Sequence, residues 1–281
     1  MNSEISTLWP GSSEPLLKAL HILTREGKLN ADSRRKLKQV QHLTRLIEPG
    51  LRATLQKRGH LHVVDLGAGK SYLGFILYDL VLRDLPEASL TAIESRPELI
   101  EASLKIARES GFDRMRFVSA RIEEAVSGSR SGSGPAPEPA DFVCTLHACD
   151  TATDDAILFG LAQGAHAFAL VPCCQAEVAR SLEGISAASL DAPELQALFG
   201  FPIHRREFGS HLTNVIRTLF LSSKGYRVTV TELVGWEHSM KNELILAQKI
   251  SDEAHPESLR AKERLEALLK RFPVRMKLLG N

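Results

Sequence analysis

Cysteine, long apolar runs and an excess of either charge are all scarce or missing in this sequence. The 281 residues include four cysteines, with no Cys-x-x-Cys spacing among them. So few cysteines in a chain of this length exclude a disulfide framework and indicate a reducing compartment. No apolar run approaches the roughly 20 residues that cross a bilayer, and the first residues lack the basic and then apolar pattern of a secretion signal. We therefore expect a cytoplasmic protein without membrane contact.

The balance of charge excludes a globally basic surface for nucleic acid. Lys and Arg number 35 and Asp and Glu 34, which gives a formal net charge of +1. Binding to nucleic acid would therefore have to use a local basic patch. Hydrophobic residues make up 43% and charged residues 25%, a balance that is typical of a folded globular protein.

The N-terminal part of the chain has helical periodicity. Within residues 14–57, apolar side chains recur three or four positions apart. We expect Asp32 or Ser33 to cap the second of two helices, and Pro49 with Gly50 to interrupt it. The sequence thus predicts an N-terminal helical appendage over residues 1–57 and a larger domain over residues 58–281.

From residue 61 onward, short apolar runs alternate with helical stretches. This alternation is typical of a doubly wound α/β fold with a mainly parallel sheet. Two further runs near the end, "YRVTVTELVGW" and "ELILAQKI", predict an antiparallel hairpin at the sheet edge. Residues 127–140, rich in Gly, Ser and Pro, are predicted to form a mobile surface loop. The five runs predicted as parallel strands are "LHVVDLG", "LTAIES", "MRFVSA", "DFVCTLHA" and "HAFALVP".

The first strand leads into a glycine turn, "VVDLGAGKSYLG". A turn without side chains at Gly67 and Gly69 lets a ligand approach the backbone, and the helix that follows presents free amides to an anionic group. The dinucleotide fingerprint needs a third glycine that is missing here, and a phosphate loop needs glycine at the position of Val64. Glu94 ends the next strand, where it is placed to accept hydrogen bonds from the two hydroxyls of a ribose.

With these two features the sequence resembles the class I S-adenosylmethionine-dependent methyltransferases. Their first motif matches "VVDLGAGKSYLG", their second matches "TAIES", and the resemblance covers residues 61–250. It implies an enzyme with a seven-stranded Rossmann-like sheet, an antiparallel last strand and S-adenosylmethionine as cofactor. In this resemblance Arg121 stands where an acidic residue is common. The residues implied to hold the cofactor are Asp65, Gly67, Ala68, Gly69, Glu94, Ser95, Arg121, Ile122 and His147.

The segments after the fourth and fifth strands, "TLHACDTATDDAI" and "LVPCCQ", narrow the resemblance. They are similar to the methyltransferase 25-like subgroup, which is related to the eukaryotic enzymes that methylate a tRNA ribose 2′-hydroxyl. Asp150 stands where those tRNA enzymes carry glycine. The resemblance implies a macromolecular acceptor, RNA first (tRNA or rRNA) and protein second.

Three chemistries compete for these segments. In the favoured one, His147 or Asp150 orients or deprotonates a hydroxyl or amine, and methyl transfer needs mainly in-line positioning. In the second, Cys149 or Cys173 attacks a pyrimidine ring. A metal site formed by His147, Cys149, Cys173 and Cys174 is disfavoured, because the adjacent Cys173 and Cys174 rarely ligate one zinc ion together. A fold that binds the cofactor as a scaffold without turnover is a further alternative.

Two polar stretches are candidate substrate contacts. Basic residues in "SRRKLKQVQHL" would hold a phosphate backbone, although a solvated helix face has the same pattern. The connection before the last strand, "GWEHSMKN", faces the active side in this topology. The candidate substrate-binding residues are Arg35, Lys38, His42, His238, Lys241 and Asn242.

Overall fold

A seven-stranded mixed sheet forms the centre of the molecule. The computed structural model describes residues 5, 9–127, 138–148, 150–172, 175–183, 199–233 and 243–280. In this part of the chain the strands lie in the order β3-β2-β1-β4-β5-β7-β6, and β7 is antiparallel to both of its neighbours. The predicted fold class is therefore confirmed. The strands are β1 (Leu61–Leu66), β2 (Ala88–Glu94), β3 (Met115–Ser119), β4 (Phe142–Ala148), β5 (Ala167–Pro172), β6 (Tyr226–Glu232) and β7 (Glu243–Lys249).

Helices cover both faces of the sheet, because successive side chains of the buried strands point to opposite sides. Val63 of β1 belongs to one apolar core and the next residue, Val64, to the other. None of the helices in the described ranges is both long and apolar enough to cross a membrane. The helices are α1 (Glu14–Ala19), α2 (Ala31–Arg58), α3 (Tyr72–Leu80), α4 (Pro97–Glu109), α5 (Ile122–Ser127), α6 (Ala152–Gln163), α7 (Glu177–Glu183), α8 (Pro202–Ser223) and α9 (Pro256–Arg271).

Helix α2 departs from the sequence-based expectation in two ways. Asn30 caps it, with its side chain accepting a hydrogen bond from the Ser33 amide at 2.8 Å, so the prediction of Asp32 or Ser33 as cap is wrong. The predicted break at Pro49 is also wrong, because the helix continues through it to Arg58. A proline inside a helix costs about 3 kcal/mol. That cost is offset by burial, since Pro49 faces solvent while five apolar side chains of α2 are buried: Leu37, Val40, Leu43, Ile47 and Leu51.

The two N-terminal helices share a core with the sheet. Leu16, Leu17 and Leu37 are fully buried in the same apolar cluster as Phe75 and Phe142. The division of the chain at residues 57 and 58 remains a prediction. Most of the predicted loop, residues 128–137, lies outside the described residues.

Candidate cofactor and acceptor site

The glycine turn joins β1 to α3 and is tied to the end of β2. Gly67 and Gly69 have φ angles of +66° and +58°, in the left-handed region that favours glycine. The Ala68 amide donates to the carbonyl oxygen of Ile93 at 3.0 Å, and the Gly69 amide donates to Glu94 Oε2 at 2.8 Å. The turn and the acidic residue are separate signals in the sequence, and the structure joins them into one hydrogen-bonded unit.

Glu94 is buried and ionised. Its Oε1 accepts hydrogen bonds from the Arg96 amide at 3.1 Å, from Arg96 Nε at 2.9 Å and from Ser95 Oγ at 3.2 Å. Burial alone would raise the pKa of Glu94, but the hydrogen bonds from Arg96 and the Gly69 amide lower it to about 2. A charged carboxylate is a strong acceptor for hydroxyl groups, and one of its present partners, the Arg96 side chain, is itself 59% exposed.

Asp65 lies at the end of β1 and differs from Glu94 in its environment. It is 1% exposed, and neither carboxylate oxygen has a hydrogen-bond partner of normal geometry in the described part of the chain. Burial raises the pKa of Asp65 to about 7, with the Glu94 charge adding to the rise and the Gly74 amide opposing it. A buried carboxyl group without such a partner is costly to ionise, which agrees with the raised pKa.

The residues after β3 border the same turn. A β-carbon on Gly67 would lie 3.7 Å from Ile122 Cδ1, so this apolar side chain stands against the glycine backbone. Arg121 is exposed, and its guanidinium pairs with Glu123 at 3.6 Å. Arg121 and Ile122 are both predicted cofactor contacts, and of the two it is Ile122 that lies against the turn.

Asp150 connects the segments after β4 and β5. Its Oδ1 accepts hydrogen bonds from the amides of Ala176 at 2.9 Å and Glu177 at 3.1 Å, and its Oδ2 pairs with Arg180 at 3.1 Å. Burial opposes ionisation, but these bonds keep the pKa of Asp150 below its ordinary value. The carboxylate therefore suits a connecting role better than that of a general base, which needs a pKa near the working pH.

Several predicted site residues lie outside the described residues. They are Cys149, Cys173, Cys174, His238, Lys241 and Asn242. His147 belongs to β4, where the pairing with β5 shifts register between Leu146 and Ala148, but its side chain is not among the described parts. The fourth cysteine, Cys144, is buried in the core.

The predicted substrate contacts on α2 lie on its solvent face. Arg35, Lys38 and His42 are all exposed, and Arg35 pairs with Asp32 at 3.4 Å. Sequence reasoning missed Arg217 of α8, whose buried side chain reaches the segment after β4. The only signal for it was a charged residue inside the apolar stretch "NVIRTLFL".

Comparisons with known proteins identify the family. Residues 35–181, just over half of the chain, match the model of a methyltransferase domain family. Among solved structures, the O-methyltransferase from Bacillus cereus, solved with S-adenosylhomocysteine, has a TM-score of 0.52 and 11% identity, covering 88% of this chain and 95% of that chain. The O-methyltransferase TomG from Streptomyces achromogenes, solved with S-adenosylmethionine, has a TM-score of 0.49 and 16% identity, covering 88% and 94%. A search of curated proteins found no match.

The structure from Bacillus cereus shares the fold, and the family match rests on the sequence itself. The chain therefore belongs to the methyltransferase domain family, in the class I S-adenosylmethionine-dependent form that its motifs predicted.

Proposed function

We propose that this protein transfers a methyl group from S-adenosylmethionine to RNA, with tRNA or rRNA as the acceptor. The observation that carries the cofactor part is the glycine turn hydrogen-bonded to the ionised Glu94. The observation that favours RNA is an exposed basic stripe on α2. The finer assignment, to the methyltransferase 25-like subgroup, rests on the segments after β4 and β5.

The residues of the turn fit S-adenosylmethionine in charge and shape. Glu94 accepts hydrogen bonds from the ribose hydroxyls, and the bare backbone from Gly67 to Gly69 lies along the amino-acid portion. The carboxylate of Asp65, which is buried and does not reach the surface, complements the cationic ammonium group through its charge. Ile122 provides an apolar surface for adenine. When bound, the cofactor supplies an electrophilic methyl group.

The protein's own contribution to the reaction is mainly positional. Methyl transfer needs the acceptor atom in line with the methyl group, and the structure holds the ends of β1, β2 and β4 at one edge of the sheet. In this proposal His147 accepts the proton of the acceptor hydroxyl or amine, since the ordinary pKa of histidine suits that role near neutral pH.

The affinity for S-adenosylhomocysteine should depend on pH through Asp65. The pKa of this carboxyl is raised to about 7, so it is increasingly protonated as the pH falls from 8 to 6. The ammonium group of the ligand favours the ionised form, so binding releases a proton and weakens toward low pH. From the raised pKa, we expect the affinity to fall about tenfold between pH 8 and pH 6.

Calorimetry at several pH values measures this dependence. Asp65→Asn removes the titrating group, and its binding curve should be nearly flat over the same range. Equal pH dependence in the wild type and in Asp65→Asn would show that another group is responsible.

The acceptor class is tested by methyl incorporation from tritiated S-adenosylmethionine. RNA and protein are prepared from cells that lack the gene and are incubated with the wild type and with His147→Ala. We expect label in RNA with the wild type and a loss of at least about 100-fold with the variant, as for removal of a general base. Label confined to protein would replace the proposed acceptor, and label in neither pool would favour a scaffold without turnover.

The basic stripe of α2 consists of Arg35, Lys38, His42 and Arg45, which are spaced three or four residues apart and exposed. The opposite side of the helix is buried, so the stripe is presented to solvent as one row. Such a row neutralises successive phosphates without reading sequence.

Reversing two charges of this stripe should weaken RNA binding. For Arg35→Glu with Lys38→Glu, we expect a loss of affinity for total tRNA. The slope of the logarithm of the binding constant against the logarithm of the salt concentration should become shallower by about 1.5. The matched control reverses two exposed charges on α9, Lys262→Glu with Arg264→Glu, and should bind as the wild type does. Equal losses in both double variants would mean that net charge, and not the stripe, governs binding.

A further inference from the structure

A buried polar cluster on α8 reaches the segments that follow β4 and β5. Arg217 is 1% exposed, although it is a charged residue in the C-terminal third of helix α8. Its Nε pairs with Asp154 Oδ1 at 2.7 Å, and its Nη1 donates to Asn214 Oδ1 at 3.2 Å. Its Nη2 donates to the backbone oxygen of Asp150 at 2.8 Å. One side chain thus binds α6, α8 and the end of the β4 segment together.

Asp150 continues this chain of contacts toward β5. Its backbone oxygen accepts from Arg217, while its carboxylate accepts the amides of Ala176 and Glu177 at the start of α7. Its φ of +51° lies in the left-handed region, which is uncommon for a residue other than glycine. Such a conformation persists where the surrounding contacts determine it, and here the contacts come from two other segments.

Further polar groups on α8 extend the cluster to the sheet edge. Asn214 Oδ1 also accepts from Gln175 Nε2 at 3.4 Å, and Gln175 Oε1 accepts from Ser210 Oγ at 2.6 Å. The Asn214 amide donates to the carboxylate of Glu243, the first residue of β7. The cluster therefore touches the segment after β4, the segment after β5 and the start of β7, which all lie at the candidate acceptor side of the sheet.

A buried ion pair of this kind contributes little to stability. The cost of removing both charges from water is comparable with their attraction, and apolar residues of similar volume are often as stable. Asp154 Oδ2 has no hydrogen-bond partner in the described part of the chain, which adds to that cost. A function in arranging the segments around it accounts for the cluster better than stability does.

We propose that Arg217 and Asp150 are positioning residues for methyl transfer, which fix the end of β4 relative to the start of α7. This inference rests on the proposed function, because His147 lies three residues before Asp150 in the sequence. Neither residue needs to touch the reacting atoms. Loss of the connection would lower turnover while leaving the glycine turn, and hence cofactor binding, intact.

The first test compares Arg217→Met, Arg217→Lys and the exposed control Arg206→Met on the same helix. For Arg217→Met, we expect kcat to fall by about 100-fold, the effect of a displacement of about 1 Å in a reacting pair. The dissociation constant for S-adenosylhomocysteine should stay within about twofold of the wild type, because that site is separate from the cluster. Arg217→Lys should recover part of kcat, and Arg206→Met should behave as the wild type does.

A second variant separates positioning from folding. Arg217→Met with Asp154→Leu removes both charges, so it should recover the thermal stability that Arg217→Met alone loses by leaving Asp154 unpaired. Its kcat should stay low, because the link to the Asp150 oxygen is still missing. Recovery of kcat together with stability would overturn the proposal, as would a parallel loss of S-adenosylhomocysteine binding in Arg217→Met.

Amide hydrogen exchange gives a readout that does not need turnover. In Arg217→Met the amides of Ala176 and Glu177, which Asp150 holds, should exchange faster, while the Gly69 amide, held by Glu94, should be unchanged. Unchanged exchange at Ala176 and Glu177 would overturn the positioning role. If amide exchange changes in Arg217→Met as expected but the wild type methylates neither RNA nor protein, the result counts against the proposed function alone.

Discussion

Replacing Gly67 by valine is expected to abolish measurable binding of S-adenosylmethionine while the protein keeps its fold. The φ of Gly67 is +66°, and its missing β-carbon would lie 3.7 Å from Ile122 Cδ1. A valine side chain therefore reaches Ile122 and displaces it from the surface proposed for adenine. Calorimetry should show a loss of affinity of at least about 100-fold, since each 1.4 kcal/mol of lost contact is tenfold.

Strain in the backbone is the competing explanation, and Gly111 provides the control. A residue with a side chain in the left-handed region costs about 1 to 2 kcal/mol. Gly111 has a φ of +70°, and a β-carbon added there would meet no atom within 4 Å, so Gly111→Val has the strain without the obstruction. Both variants should lose similar thermal stability, and only Gly67→Val should lose the ligand. Wild-type affinity in Gly67→Val would contradict the assignment of this turn.

The second large effect is expected for Glu94→Gln. The substitution keeps the shape of the side chain but removes the charge, so hydrogen bonds from the ribose hydroxyls lose their charge assistance. Bonds to charged groups contribute about 1.5 to 3 kcal/mol each. For two hydroxyls we therefore expect the affinity for S-adenosylhomocysteine to fall by about 100-fold.

A ligand without the hydroxyls shows whether Glu94 acts on them. The 2′,3′-dideoxy analogue of S-adenosylhomocysteine should bind the wild type and Glu94→Gln with similar affinity, because the bonds are missing in both cases. Glu98→Gln, an exposed acidic residue in the first turn of α4, is the matched control and should bind as the wild type does. An equal loss for the parent ligand and the analogue would mean that Glu94 acts only by holding the Gly69 amide.

Two acidic residues at neighbouring strand ends, Asp65 and Glu94, have pKa values that are shifted in opposite directions. Burial raises the pKa of Asp65 to about 7, whereas hydrogen bonds from Arg96 and the Gly69 amide outweigh burial and lower the pKa of Glu94 to about 2. The same residue class thus provides a permanent anion at β2 and a titratable group at β1. This pairing suits a ligand that brings two hydroxyl donors and one cationic group.

Local patterns in the sequence are sufficient to predict the sheet and the glycine turn after β1. Apolar runs predict the strands, and turn chemistry at the ends of two of them predicts Gly67, Gly69 and Glu94. These features depend on neighbours in sequence, so the pattern carries them. The continuity of α2 through Pro49 is not predicted, because it depends on burial against the rest of the fold.

The connecting role of Asp150 and Arg217 lies beyond the sequence for a similar reason. Arg217 is separated from Asp150 by 67 positions and from Asp154 by 63. Nothing in the spacing of either motif indicates that pairing, and the position of Asp150 after β4 alone predicts a catalytic residue. Long-range polar contacts of this kind are set by the packing of α8 on the sheet.

The most direct test of the central claim is a crystal structure of the protein with S-adenosylhomocysteine. We expect both ribose hydroxyls within hydrogen-bonding distance of the Glu94 carboxylate and the amino-acid portion along the backbone from Gly67 to Gly69. The ligand bound elsewhere, or bound here with its ribose away from Glu94, would contradict the proposed site.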